Sequence, residues 1–201
     1  MPFFTSSRRG LLLGLFSALA LAACTSTPPA PTYPEIRFSQ GAPITIRAMR
    51  VDISSSYQPT FAPPNVEHLM PISPERMARQ WALDRLQPLR AGRAVARFEV
   101  LDAKVVETRL KTKTGIVGTF TDEPSERYDA TLTARLTLDD PERNYHGSVE
   151  TTANRSLTVQ EGASINDREK AWYELSKKLG EEFDRAMSAN IKRYLPEAVA
   201  D

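Results

Sequence analysis

Two stretches in the second half of the chain alternate apolar and polar residues, which is the pattern of a β-strand with one buried face. From Tyr128 to Leu138 every second residue is apolar, and the residues between them are polar or charged. A similar alternation runs from Tyr145 to Val159, after turn residues at Asp139-Asp140-Pro141. Strands with one covered face and one wet face are typical of antiparallel pairing.

Two further stretches alternate in the same way, but each changes phase once. Residues 44–53 slip between Ala48 and Met49, and residues 94–105 slip after Val100. An extra residue in one strand of a pair produces such a slip. The pattern therefore predicts one bulged strand over each stretch.

Helical spacing appears in two places. Ser73-Pro74-Glu75 is typical of a helix start, and we expect Asn166-Asp167 to cap a second helix that ends before Pro196. The apolar stripe of the first helix is Met77, Ala78, Trp81, Ala82, Leu86 and Leu89. That of the second is Ala171, Trp172, Leu175, Leu179, Phe183, Met187, Ile191 and Tyr194.

The predicted order of elements is β-α-β-β-β-α. This order favours an α+β fold, a two-layer sandwich in which an antiparallel sheet of about four strands carries both helices on one face. We interpret Trp81 and Trp172 as core residues because both lie on the helix stripes.

The first 23 residues differ from the rest of the chain. Arg8 and Arg9 precede an uninterrupted run of 13 apolar or small residues, Leu11 to Ala23. A membrane-spanning helix needs about 20 apolar residues, so the run indicates a secretory signal rather than a span. The segment around Arg8 and Arg9 also resembles a twin-arginine signal, and the sequence leaves the two export routes open.

The signal ends in Leu21-Ala22-Ala23-Cys24, which resembles the bacterial lipobox, and Cys24 is the only cysteine. The resemblance implies cleavage before Cys24 and its lipidation, which would anchor the chain in a membrane. Thr25 and Ser26 follow, with no Asp beside the cysteine. By resemblance to the sorting rule of enteric bacteria, this favours the outer membrane, with the protein facing the periplasm.

Five prolines between Thr25 and Pro43 predict an extended tether, because proline fixes φ and lacks an N–H group. We therefore expect a signal peptide over residues 1–23, a lipidated cysteine and tether over 24–43, and a single α+β periplasmic domain over 44–201.

Composition excludes several function classes. The formal net charge is +1, which gives no argument for nucleic-acid binding. Two histidines and one cysteine cannot supply a usual zinc site, and no nucleotide-binding or nucleophile motif is present, so we expect no metal, no cofactor and no enzyme activity.

Glu67-His68 could be a general acid–base pair, but adjacent residues in a proline-rich connection are more often solvated. His146 is expected to be exposed on its strand.

The segment between residues 111 and 120 is a candidate contact loop for a partner or a membrane surface. Its apolar residues stand beside two lysines: Lys111, Lys113, Ile116, Val117 and Phe120. The alternative is a hairpin extension folded back on the sheet edge.

The apolar residues of the connection 57–74 are a second candidate and could form a binding lip. We favour the alternative that these residues cap the open end of the sandwich.

The signal, tether and element order together resemble small envelope lipoproteins of Gram-negative bacteria, above all the ABC-type transport auxiliary lipoproteins. LPS-assembly lipoproteins and penicillin-binding-protein activators share this plan. An Arg-Trp near the start of the auxiliary family's first helix is matched only loosely by Arg79-Gln80-Trp81. The resemblance implies a non-enzymatic accessory subunit of a transport or assembly complex, with a protein partner in the envelope. The alternatives are a lipid-binding periplasmic protein, an activator of a peptidoglycan synthase, or an envelope hydrolase.

Overall fold

The computed structural model describes residues 32–110 and 124–200. The described elements are β1 (Ile44–Ile46), β2 (Arg50–Ser55), α1 (Pro74–Arg85), β3 (Leu86–Pro88), β4 (Val95–Asp102), β5 (Val105–Arg109), β6 (Pro124–Asp140), β7 (Tyr145–Gln160) and α2 (Ile165–Tyr194). Short 3₁₀ turns cover Glu67–Leu69 and Pro196–Ala198.

The long strand β6 organises the main sheet. On one side it pairs antiparallel with β7 along its length, from Asp140 opposite Tyr145 to Pro124 opposite Gln160. On its other side β4 and β5 lie end to end, both antiparallel to β6. β2 lies outside β4 and completes a five-stranded sheet.

The α+β class and the sandwich of a sheet with two helices are confirmed, but the sheet is mixed rather than wholly antiparallel. β2 runs parallel to β4, and β1 pairs with β3 in a separate parallel ribbon. The connection that contains α1 explains the β2–β4 direction: a crossover returns the chain to the same end of the sheet, whereas a tight turn would reverse it.

Both changes of phase in the sequence correspond to breaks. The slip between Ala48 and Met49 separates β1 from β2, so the predicted bulged strand is two strands that enter different sheets. The second stretch divides at Ala103 and Lys104 into β4 and β5. A register shift between Val100 and Asp102 lies where the alternation slips.

One end of each helix differs from the sequence prediction. α1 starts as expected, with the Ser73 hydroxyl accepting the Arg76 N–H at 3.3 Å, but it ends at Arg85. The predicted stripe residues Leu86 and Leu89 therefore lie in β3 and just beyond it.

α2 is capped by Ser164 rather than by Asn166-Asp167. The Ser164 hydroxyl accepts the Asp167 N–H at 3.2 Å, and the Asp167 carboxylate accepts the Ser164 N–H at 3.2 Å. This reciprocal capping box satisfies two backbone donors. The helix therefore begins at Ile165, which precedes the predicted cap.

The helices cover one face of the main sheet. Trp81 of α1 and Phe183 of α2 meet Phe98 of β4, with ring centroids 5.4 Å and 6.4 Å from that of Phe98. The opposite face is polar, with cross-strand bonds between the Thr133 and Thr152 hydroxyls at 2.9 Å and between Arg135 and Glu150 at 2.7 Å. The core thus lies between the sheet and the helices.

Candidate functional site: the strap that precedes the first strand

Residues 33–42, which we call the strap, pack on the helices although the sequence predicted them to be tether. Ile36 and Phe38 belong to the core and are only 7% and 9% exposed. The predicted boundary at residue 44 is therefore wrong, because two apolar side chains within the proline-rich stretch are buried and order the backbone around them.

Asp84 of α1 holds the middle of the strap. Arg37 donates to it twice, from Nε to Oδ2 at 2.9 Å and from Nη2 to Oδ1 at 2.8 Å. The backbone N–H of Phe38 donates to Oδ2 at 2.8 Å, and Gln80 Nε2 donates to Oδ1 at 2.8 Å. One carboxylate thereby fixes both a side chain and the backbone of the strap.

These donors also set the ionisation of Asp84. Burial opposes ionisation, but the hydrogen bonds from Arg37, the Phe38 N–H and Gln80 together outweigh it, so the pKa of Asp84 lies below its ordinary value. The side chain of Asp84 is 4% exposed, whereas that of Arg37 is 57% exposed. The strap therefore docks on a buried and ionised carboxylate.

Arg85 holds the end of the strap. Its guanidinium donates to the Ala42 carbonyl, to Asp184 at 2.8 Å and to Ser188 Oγ at 3.1 Å. Asp184 also accepts the indole N–H of Trp81 at 2.7 Å. This buried arginine therefore links the strap to both helices.

The beginning of the strap makes two further contacts. Tyr33 lies against Tyr173 of α2, with ring centroids 5.2 Å apart, and Glu35 forms an ion pair with Arg76 of α1. From Tyr33 to Ala42 the strap is thus attached by aromatic, ionic and apolar contacts, and it spans both helices.

The residues chosen from the sequence as site residues lie outside the described part of the chain. This holds for the lipobox, Leu21, Ala22, Ala23 and Cys24, and for the contact loop, Lys111, Lys113, Ile116, Val117 and Phe120. Both remain predictions.

Glu67 and His68 point to different surroundings. Glu67 is 2% exposed, and its carboxylate accepts from Tyr57 Oη at 2.8 Å and from the Val105 N–H at 3.1 Å. His68 packs against the exposed ring of Phe61, with ring centroids 5.5 Å apart. Adjacent in sequence, the two side chains form no acid–base pair, and Glu67 holds the proline-rich connection against β5.

His146 lies at the open corner of the polar sheet face, as expected. Its Nδ1 is bonded to Asp139, which also forms an ion pair with Arg97. The hydrogen bond from His146 is the largest influence on the pKa of Asp139, and with the smaller contribution of Arg97 it lowers that pKa although burial opposes the change. The cluster ties three neighbouring strands together at the surface.

Both tryptophans are core residues, as predicted, with Trp81 fully buried and Trp172 7% exposed. Within residues 32–110 and 124–200, no group of three or more His, Cys, Asp or Glu side chains could hold a metal ion. Nor does any helix in those ranges have the length and apolar character needed to span a membrane.

No protein-family model matches the chain, and no curated protein matches it either. Solved structures to which the chain is similar include rare lipoprotein B from Shewanella oneidensis, which is 11% identical with a TM-score of 0.36; the match covers 69% of this chain and 93% of that one. A minor lipoprotein from Acinetobacter baumannii is 15% identical with a TM-score of 0.34, covering 78% and 98%. A homolog of neuraminyllactose-binding hemagglutinin from Helicobacter pylori is 8% identical with a TM-score of 0.39, covering 84% and 93%.

Two of these three structures are named lipoproteins. The function proposed below rests on the residues of this chain.

The strap is the feature that sequence reasoning missed. Ile36 and Phe38 alternate with charged residues, as in a short strand, but the prolines around them indicate an extended tether. No sequence pattern marks Asp84 and Arg85 as contacts of the strap, because charged residues at the end of a helix are common on exposed surfaces.

Proposed function

We propose that the chain is a lipid-anchored accessory protein of the Gram-negative cell envelope, without enzyme activity of its own. The observation that carries the proposal is the lipobox-like Leu21-Ala22-Ala23-Cys24 directly after an apolar signal. The strap supports it, because a folded unit that begins at Tyr33 leaves a short, proline-containing connection to Cys24.

The length of that connection bounds the position of the domain. Eight residues, Thr25 to Thr32, separate Cys24 from Tyr33. Fully extended, eight residues span at most about 29 Å. An anchored domain would therefore stay within about three nanometres of its membrane, which suits a protein that works beside a membrane complex.

The hydrogen-bonded carboxylates of the domain support a role other than catalysis. Glu67, Asp84, Asp139 and Asp184 each bond several neighbouring groups, and each holds strands, strap, loop or helices together. Active sites instead pair a reactive side chain with a base in a cleft. This arrangement favours a binding or scaffolding role.

The anchor is tested by comparing full-length protein with the Cys24→Ala variant in its native cells. We expect the wild type in the membrane fraction and the variant either unprocessed or released from the membrane. Ser26→Ala is the matched control, because it changes a neighbouring small polar residue and leaves the lipobox intact. A Cys24→Ala variant that is processed to the mature size and still associates with the membrane as fully as the wild type would overturn the proposal.

The choice of membrane has its own test. Thr25→Asp places an aspartate beside Cys24, and by the enteric sorting rule the variant should move from the outer to the inner membrane. Density-gradient separation of the two membranes measures the shift. A wild-type protein already in the inner membrane would contradict the outer-membrane assignment while leaving the anchor itself intact.

A lipid-binding role remains the alternative. Solvent extraction of the purified Cys24→Ala variant, which lacks an acyl anchor, distinguishes the two. One lipid recovered per protein would favour lipid carriage, whereas lipid-free protein supports the accessory role.

A further inference from the structure

We infer that the outer edge of β7 is a docking site for an extended, acidic segment of a partner protein, which adds a strand to the sheet. This inference supplies a partner surface for the proposed accessory role, but it depends on the folded domain and not on the acylation of Cys24. It starts from the direction in which the backbone groups of β7 point.

The backbone register fixes that direction. The Thr131 N–H donates to the Lys104 carbonyl at 2.9 Å, so Thr131 bonds on the side of β6 that faces β4 and β5. Successive residues of a strand bond in opposite directions, so Leu132 bonds toward β7, where its partner is Ala153. Thr152 and Asn154, which flank Ala153, therefore point their N–H and C=O groups outward, away from β6.

The same alternation applies along the whole strand. Between Tyr145 and Val159, seven residues of β7 direct their backbone outward, and all seven are exposed: His146, Ser148, Glu150, Thr152, Asn154, Ser156 and Thr158. In residues 32–110 and 124–200 no hydrogen bond from another element reaches these groups. A row of unpaired backbone groups is a template for strand addition.

β7 also lacks several of the features that protect an edge. Its 16 residues contain no proline and no lysine, and no register shift interrupts its pairing from Glu126 to Asp140 of β6. The other edges differ: β2 has six residues, and the outer side of β5 is bonded by Pro64 and Val66. A long edge without proline, lysine or a bulge is an aggregation hazard unless something covers it.

The positive charge beside the β7 edge indicates which kind of partner segment would bind there. Arg155 of β7 and Lys178 of α2 line a surface recess of about 390 Å³ together with Asn154 and Ser156. Neither cation has an ion-pair partner among the described residues, whereas Arg127 and Arg135 of the sheet are both paired. A carboxylate on an incoming strand would complete this recess.

A second copy of the chain fits this edge poorly. It would bring its own Arg155 and Lys178 to the same interface, and Glu150, the one acidic residue of β7, is already bonded to Arg135. Like charges facing each other at an interface are unfavourable. An acidic segment of a different protein is therefore favoured.

Site-specific photocrosslinking in cells that express the full-length protein tests this inference. The crosslinking amino acid is placed at Thr152 and, as the matched control, at Thr133, which lies opposite Thr152 on β6 and on the same face of the sheet. We expect at least tenfold more adduct from position 152, and peptide mapping should locate the adduct in an extended segment that carries Asp or Glu.

The variants Thr152→Pro and Thr152→Ala separate strand addition from other contacts. Both remove the hydroxyl that bonds Thr133, but only proline removes the outward N–H. With the crosslinker at Asn154, Thr152→Pro should reduce the adduct at least tenfold, and Thr152→Ala should retain it.

A double variant keeps the test valid if Thr152→Pro fails to fold. Arg155→Glu combined with Lys178→Glu reverses two exposed charges and should also reduce the adduct about tenfold. Equal adducts at 133 and 152, an adduct with a second copy, an adduct insensitive to both sets of variants, or no adduct at 152 would each overturn the inference. Because the edge belongs to the folded domain, these results are independent of whether Cys24 is acylated.

Discussion

The ring of Phe38 lies directly against the backbone of Gly180, 142 residues later in the chain. A Cβ atom built on Gly180 would lie 2.8 Å from Phe38 Cζ and 2.9 Å from Met77 Sδ. The absence of a side chain at this point of α2 is what allows the strap to enter the core between the helices.

This contact predicts the effect of Gly180→Ala. Helix propensity alone would stabilise the protein by about 1 kcal/mol, but overpacking costs about 1–3 kcal/mol. We expect a net loss of about 1 kcal/mol in the free energy of unfolding, measured by urea denaturation. In a Phe38→Ala background the same substitution should cost less. A stabilised Gly180→Ala protein would show that the strap does not pack as described.

A second prediction concerns pH and Asp84. Because the pKa of Asp84 is lowered in the folded state, its contribution to stability is present above the unfolded value of about 3.9 and is lost as pH falls through the folded value. Asp84→Asn should therefore cost about 1–3 kcal/mol at pH 7, since it removes an ionised acceptor of four donors.

The pH dependence is the decisive part of that prediction. The difference between wild type and Asp84→Asn should narrow as the pH is lowered from 5 to 2, in urea titrations at each pH. Limited proteolysis should at the same time cut the strap of the variant faster than that of the wild type. A difference that stays constant with pH would mean that the charge of Asp84 does not hold the strap.

Glu67 and His68 give a prediction with an internal control. Glu67→Ala leaves the Tyr57 hydroxyl and the Val105 N–H without their acceptor, so we expect a loss of about 2–4 kcal/mol in the free energy of unfolding. His68→Ala changes only a contact with an exposed ring and should cost less than about 1 kcal/mol. Comparable losses from both variants would contradict the separation of the two side chains.

The hairpin of β6 and β7 could be predicted from the sequence, and the reason is physical. From Tyr128 to Leu138 one face is apolar and the other is charged or polar, so a shift of one residue would bury Arg135 and expose Leu136. The changes of phase at Ala48 and Val100 were also informative, because both mark places where the chain leaves regular pairing.

The strap and the parallel strands could not be predicted in the same way. The pairing of β2 with β4 depends on the path of the chain across α1, and no local pattern in β2 records its neighbour. The strap depends on Gly180 and Asp84, which are far from it in sequence. The exposed edge of β7 is likewise a property of the assembled sheet.

The central claim is that the mature protein begins with an acylated Cys24. Mass spectrometry of the N-terminal peptide from protein purified out of the membrane fraction tests it most directly. The account predicts a peptide that starts at Cys24 and carries the mass of three acyl chains with their glycerol. A peptide that retains residues 1–23, or one that starts at Cys24 without acyl chains, would contradict it.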